Sequence, residues 1–147
     1  TRIGYNYRLS NVCAGIGRGQ MLSLPSFLEK RRGIHEEYRR RLSGVPGLSL
    51  LENPDSRYHS NHWLTCVQVN PEEARFDRET LRLALQKAGV ESRPLWKPMH
   101  LQPVFRSCPF YGSGVSDRLF EEGLCLPSGA SLAGEDMDRI IDVLLNL

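Results

Sequence analysis

The sequence has no apolar run approaching the roughly 18 residues that a membrane-spanning helix needs. It has no C-x-x-C pair, because its four cysteines, Cys13, Cys66, Cys108 and Cys125, lie far apart. That spacing excludes a zinc ribbon and a disulfide frame, so the thiols are expected to be buried and reduced. There is no H-x-x-x-H spacing, no carboxylate pair placed for a metal and no diagnostic Ser-His-Asp or Cys-His arrangement. Excess charge is also scarce. The 19 Lys and Arg against 17 Asp and Glu leave a formal +2, too little to argue for nucleic acid. The opening Thr1-Arg2-Ile3-Gly4 lacks both Met and an apolar leader core, so no signal peptide is expected and the chain reads as a piece of something longer. A cytoplasmic address follows from these readings.

What is present is a chain of 147 residues, enough for one real core but small for a complete cofactor enzyme. Residues 10–42 carry Leu24, Phe27, Leu28, Ile34, Tyr38 and Leu42 at three- and four-residue spacing, the stripe of an amphipathic helix. Pro25 interrupts it, and Ser26 with Glu29 has capping-box spacing, so either a kink or a fresh helix is expected there. The basic residues Lys30 to Arg32 and Arg39 to Arg41 alternate with Glu29, Glu36 and Glu37. They read as a solvated helix face, with a nucleic-acid patch as the lesser alternative.

Short strands are expected at 48–50, 62–69, 90–93 and 124–126, and helices from Asp77 or Arg78 to Gly89 and over 113–122. Pro94, Pro98, Pro103 and Pro109 exclude regular structure over most of 94–109. The last helix places Met137, Ile140, Ile141, Leu144 and Leu145 on one face, with acids in its first turn. Strands and helices without strict β-α-β alternation predict a mixed α+β fold, with a small, mostly antiparallel sheet and helices on one face.

Three stretches stand out chemically. Gly4-Tyr5-Asn6-Tyr7-Arg8-Leu9-Ser10-Asn11 precedes a helix N-terminus and suits either an anionic group such as phosphate or simple capping. Ala14-Gly15-Ile16-Gly17-Arg18-Gly19-Gln20 has glycines that each cost a helix about 1 kcal/mol. Close packing on another backbone, within the chain or across a subunit boundary, is the expected compensation. Glu91-Ser92-Arg93-Pro94-Leu95-Trp96-Lys97-Pro98-Met99-His100 combines cations, an indole and an imidazole on a proline-stiffened loop. It reads as a binding surface, against the alternative of a packed loop with Trp96 in the core. His62, beside Asn61, could face a cleft, although a structural histidine is the plainer reading.

Taken together, these stretches resemble the DegT-type family of sugar aminotransferases, which have the aspartate-aminotransferase (type I) fold. Gly4 to Asn11 followed by Ala14, Gly17 and Gln20 is similar to the motif after the family's large domain. Phe27, Arg31, Arg32, Tyr38 and Leu42 match its long connecting helix, and Asn61-His62-Trp63 its first long small-domain strand. Arg93 to His100, Gln102-Pro103-Val104-Phe105 and Gly123 to Gly129 resemble the branch that makes 4-amino sugars on UDP. Pro25 and Ala133 depart from the pattern.

The resemblance implies that residues 1–45 are an interdomain motif and connecting helix, and that 46–147 are the small domain of a homodimeric enzyme. It implies pyridoxal phosphate as cofactor, with Asn6 and Arg8 toward its phosphate, and no catalytic residue here, since the family's Schiff-base lysine belongs to a large domain upstream of Gly4. His100, Trp96, Arg93 and His62 are then expected to border a nucleotide-linked keto-sugar, with glutamate as amino donor. A non-catalytic dimerisation module is the alternative. Lys30 sits in a sequence superficially like the lysine motif but one residue short. Borohydride reduction of the chain with pyridoxal phosphate is therefore expected to leave no stoichiometric pyridoxyl-lysine, and full labelling of one Lys would contradict the reading.

Overall fold

The computed structural model describes residues 4, 5 and 7–147. Helix α1 (Asn11–Leu42) leads to β1 (Leu48–Leu50), β2 (Thr65–Val69), the one-turn α2 (Pro71–Ala74) and α3 (Arg78–Lys87). Strand β3 (Arg93–Pro94), two 3-10 turns (Met99–Leu101, Pro103–Phe105), α4 (Val115–Glu122), β4 (Gly123–Leu126) and α5 (Gly134–Leu145) complete it. The sheet order is β1-β2-β4-β3, and every pairing is antiparallel.

Strand β2 alternates as a half-buried strand should, with Thr65, Val67 and Val69 inward. Leu124 and Leu126 of β4 join the same core, which Leu81 and Leu85 of α3 and Met137, Ile140, Ile141 and Leu144 of α5 close. From α1 only the last third enters: Tyr38 and Leu42 are buried, and the Tyr38 hydroxyl donates to the Pro127 carbonyl at 2.9 Å. Each fully buried Leu contributes about 1.5–3 kcal/mol, whereas the helix-surface pairs Glu36–Arg39 and Glu37–Arg40 are screened by solvent and contribute little. Two guanidiniums, from Arg40 and Arg41, hold the Glu37 carboxyl down to about 2. The basic run of α1 is thus paired with its own acids, and Arg41 also bridges to Asp138 of α5 at 2.6 Å.

Four expectations are corrected. The helix runs unbroken through Pro25, with no fresh start at Ser26. Pro25 is exposed, so solvent can take the backbone acceptor its missing N–H leaves. The second strand begins at Thr65, not His62, because Ser60 Oγ accepts from the His62 N–H and Asn61 Oδ1 from the Trp63 N–H, turning the backbone locally. His62 takes a left-handed φ of 43° in that turn. The thiols are not uniformly buried, since Cys13 and Cys108 are exposed. Leu24 and Phe27 lie on a bare part of α1 and not in the core.

The helix glycines also differ from expectation within the chain. A Cβ at Gly15, Gly17 or Gly19 meets nothing within 4 Å, so no backbone among the described residues packs there. Gly47 is the opposite case, with φ 74° and no room for a Cβ, which would collide with the backbone nitrogen of Ala74. Gly17→Leu is therefore expected to leave thermal unfolding of this chain unchanged or raised by up to about 1 kcal/mol through helix propensity. Gly47→Ala is expected to lose more than about 1 kcal/mol. A destabilised Gly17→Leu chain would show a packed helix face.

Candidate functional site

Two concavities stand out among the described residues. The larger, about 870 Å³, lies between β3, the end of β4 and α5. Leu64, Arg93, Trp96, Cys125, Ser128 and Arg139 are among its lining residues. Its entrance carries the Trp96 indole, 66% exposed, and the Trp63 ring lies 6.2 Å away at a tilt of 36°. Trp96 is thus not a core residue. Arg31 of α1 fixes Trp63 by donating to its carbonyl at 2.6 Å, and Arg32 donates to the Ser60 carbonyl at 3.1 Å. Two positions of the connecting helix therefore hold the loop that presents an indole.

Around that cavity the guanidiniums have weak partners. Arg93 pairs with Glu91 at 2.5 Å in a highly exposed bridge, and Arg139 with Asp136 at 3.2 Å. Exposed pairs of this kind are worth about 0–1 kcal/mol, so either cation can exchange its carboxylate for a phosphate at little cost. The Ser92 hydroxyl, also at the lining, is buried with no hydrogen-bond partner. An orphan of this type costs about 1–3 kcal/mol unless a ligand or water satisfies it.

His62 goes elsewhere. It stacks on His35 at 3.7 Å in a smaller cavity of about 400 Å³ with Arg32, Glu52 and His59. Buried His35 contacts Thr65 Oγ1 at 3.3 Å and Glu52 Oε2 at 3.2 Å. Burial first, then the facing His35, lowers the His62 pKa, with Arg32 adding to this and Glu52 opposing it. His100 sits in the first 3-10 turn, 2.7 Å from Asp117 Oδ1 and stacked on Phe110 at 3.7 Å. The four expected sugar-side residues therefore fall into three places: Arg93 and Trp96 together, His62 against α1, and His100 against α4.

A model of the DegT/DnrJ/EryC1/StrS aminotransferase family matches residues 1–145. The chain belongs to this family. EpsN of Bacillus subtilis (strain 168), named as a pyridoxal phosphate-dependent aminotransferase, is 37% identical over 151 residues, covering 100% of this chain and 38% of EpsN. GDP-perosamine synthase of Vibrio cholerae is 29% identical over 98% of this chain and 39% of its own length. The aminotransferase TlmJ of Streptoalloteichus hindustanus superposes with a TM-score of 0.80 at 29% identity, over 92% of this chain and 35% of TlmJ. The chain thus spans less than two-fifths of each relative's length.

For this family member, Asn6 lies outside the described residues. Arg8 is exposed two residues before the α1 cap, where Ser10 Oγ accepts from the Cys13 N–H at 3.2 Å. No acid stands in the first turn of α1, so the donor set there fits a phosphate. It offers nothing for an aldehyde carbon, and the three lysines, Lys30, Lys87 and Lys97, are all exposed and outside that segment. Among the described residues no three His, Cys, Asp or Glu gather for a metal, and no helix is long and apolar enough to cross a membrane.

Sequence reasoning missed Trp63 as a site residue, although its neighbours Asn61 and His62 had been singled out. The signal was a second Trp in a chain that has two. Because the folded pKa of His62 is depressed, its neutral form contributes stability that is complete above the unfolded value of about 6.5. That contribution is lost as pH falls through the folded value. Urea unfolding at pH 7.5 and pH 5 is expected to show this loss, and His62→Asn, which tolerates the left-handed backbone, is expected to reduce it. An equal loss in the variant would place the titration elsewhere.

Proposed function

We propose that this chain is the C-terminal portion of a pyridoxal phosphate-dependent aminotransferase that moves an amino group from glutamate to a nucleotide-linked 4-keto-sugar. Residues 1–45 serve as the linking motif and helix, and 46–147 as the small domain, of a cytoplasmic homodimer. Support comes from the family, from a relative whose name gives a GDP-linked sugar, and from the chemistry of the larger cavity. The observation that carries the reading is the exposed Trp96 indole beside Arg93 at the mouth of that cavity. A nucleotide presents a flat base and a charged diphosphate, which an indole face and exchangeable guanidiniums match.

Pyridoxal phosphate, when bound in the whole enzyme, supplies the electron sink. Asn6 and Arg8 would hold its phosphate end, and the amide N–H groups opening α1 would add donors for the same charge. Arg93 and Arg139 take the diphosphate, Trp96 and Trp63 the base, and the Ser92 hydroxyl donates to an oxygen of the ligand. His100, held by Asp117, keeps the loop from Trp96 onward in place and borders the sugar once the remaining domain closes over it. His62 steadies the loop carrying Trp63. The bare apolar residues of α1, Val12, Ile16, Met21 and Leu22, face the rest of the enzyme. A pure dimerisation module would explain those residues and leave the cavity unexplained.

Stacking a base on an aromatic ring is worth about 1–3 kcal/mol, so Trp96→Ala in the whole enzyme is expected to raise KM for the keto-sugar roughly tenfold. The cofactor spectrum and the half-reaction with glutamate are expected to stay intact, and His100→Ala to lower keto-sugar turnover in the same selective way. An equal fall of both half-reactions would make the loop a structural support. No fall in either would remove these side chains from the site.

A further inference from the structure

The outer face of the sheet carries an unassigned pair of sulfurs. Cys66 of β2 stands directly opposite Cys125 of β4 in the antiparallel register. The Leu51 N–H donates to the Cys66 carbonyl at 3.0 Å, so the backbone groups of Cys66 face β1. The Leu95 N–H donates to the Gly123 carbonyl at 3.3 Å, and by the two-residue period the backbone groups of Cys125 face β3 as well. No ladder bond therefore joins the two cysteines to each other. Such a pair brings its Cα atoms to about 4.5 Å, inside the range a disulfide spans but at its short end.

The side chains already meet, with sulfur to sulfur at 3.8 Å. Thr65 and Val67 on either side of Cys66 point into the core, so both thiols lie on the opposite face. Cys66 is half-buried and Cys125 is buried from bulk solvent, but Cys125 is among the residues lining the larger cavity, which gives a small molecule a way in. The two thiols are also unequal. The contact from Cys66 lowers the Cys125 pKa against the opposing effect of burial, while the same contact and burial push Cys66 up. The cavity lining includes Cys125 and not Cys66, so Cys125 is the thiol a small disulfide meets first and Cys66 the resolving thiol.

We propose that Cys66 and Cys125 form a reversible thiol–disulfide site oxidised by a small-molecule disulfide that enters through the cavity. The Cys125 thiolate attacks one sulfur of the small disulfide, forming a mixed disulfide and expelling one thiolate. Cys66 then gives up its proton, and its sulfur attacks Cys125 and expels the second. Two cysteine thiols are oxidised, one small disulfide is reduced to two thiols, and the two protons leave with them. The short cross-strand span makes the product easily reduced again.

The test uses the 147-residue chain carrying Cys13→Ser and Cys108→Ser, which removes the two exposed thiols. Glutathione disulfide is the oxidant, followed by peptide mass mapping. The expected product is a cross-linked peptide pair containing Cys66 and Cys125, lighter by two hydrogen atoms and reopened by dithiothreitol. Adding Cys66→Ser is expected to trap a glutathione adduct on Cys125. The wild-type chain, with all cysteines present, is expected to give the same cross-link. Thiols that stay titratable in both folded chains, or an adduct confined to Cys66, would overturn the proposal.

Discussion

Tyr38 is fully buried among apolar side chains and still has a hydroxyl to satisfy. It does so by reaching the carbonyl of Pro127, the residue that stops β4. Burial keeps the phenol protonated by pushing its pKa upward, so the bond always has a donor. This one contact welds the end of α1 to the central strand, and Arg41 to Asp138 repeats the attachment on the surface. With that end fixed, Arg31 and Arg32, two turns back along the helix, are at a defined height over the loop they hold. The placement of Trp63, and through it the mouth of the larger cavity, follows from where Tyr38 sits.

The same anchoring explains why one helix has two characters. From Asn11 to Phe27 every residue of α1 is exposed, and the glycines there meet open space. Three glycines in a helix are a cost with no return inside these residues. The chain spans 38% of EpsN. The structure thus has a closed core against the last turns of α1 and an exposed surface over its first half.

Much of the fold was legible because it is local or periodic. The α5 stripe, the β1 triplet and the Gly89 stop are set by residues that the sequence displays in order. Pro25 misled because its cost depends on burial, and burial of a helix face is decided by distant residues. Strand β2 is shorter than its apolar alternation predicts because the side chains of Ser60 and Asn61 compete for backbone donors, a choice that alternation does not register. The site was legible only as a list. Arg93 and Trp96 share a cavity because they are close in sequence. His62 and His100 part company because His35 and Asp117, twenty-seven and seventeen residues away in the sequence, claim them. Ala133 shows the same limit on a small scale. It has no acceptor to cap α5, and Asp136 supplies half of the usual pair by accepting from the Ala133 N–H at 3.4 Å.

The central claim is that the larger cavity receives the nucleotide of a sugar nucleotide and is not filled by another part of the polypeptide. The structure of the longer enzyme with a UDP- or GDP-linked amino sugar decides between these directly. The account predicts the base against the Trp96 indole, the diphosphate within hydrogen-bond reach of Arg93 or Arg139, and an acceptor on the Ser92 hydroxyl. A nucleotide bound elsewhere, with a segment of the enzyme's own chain packed into the cavity and covering Trp96, would contradict it.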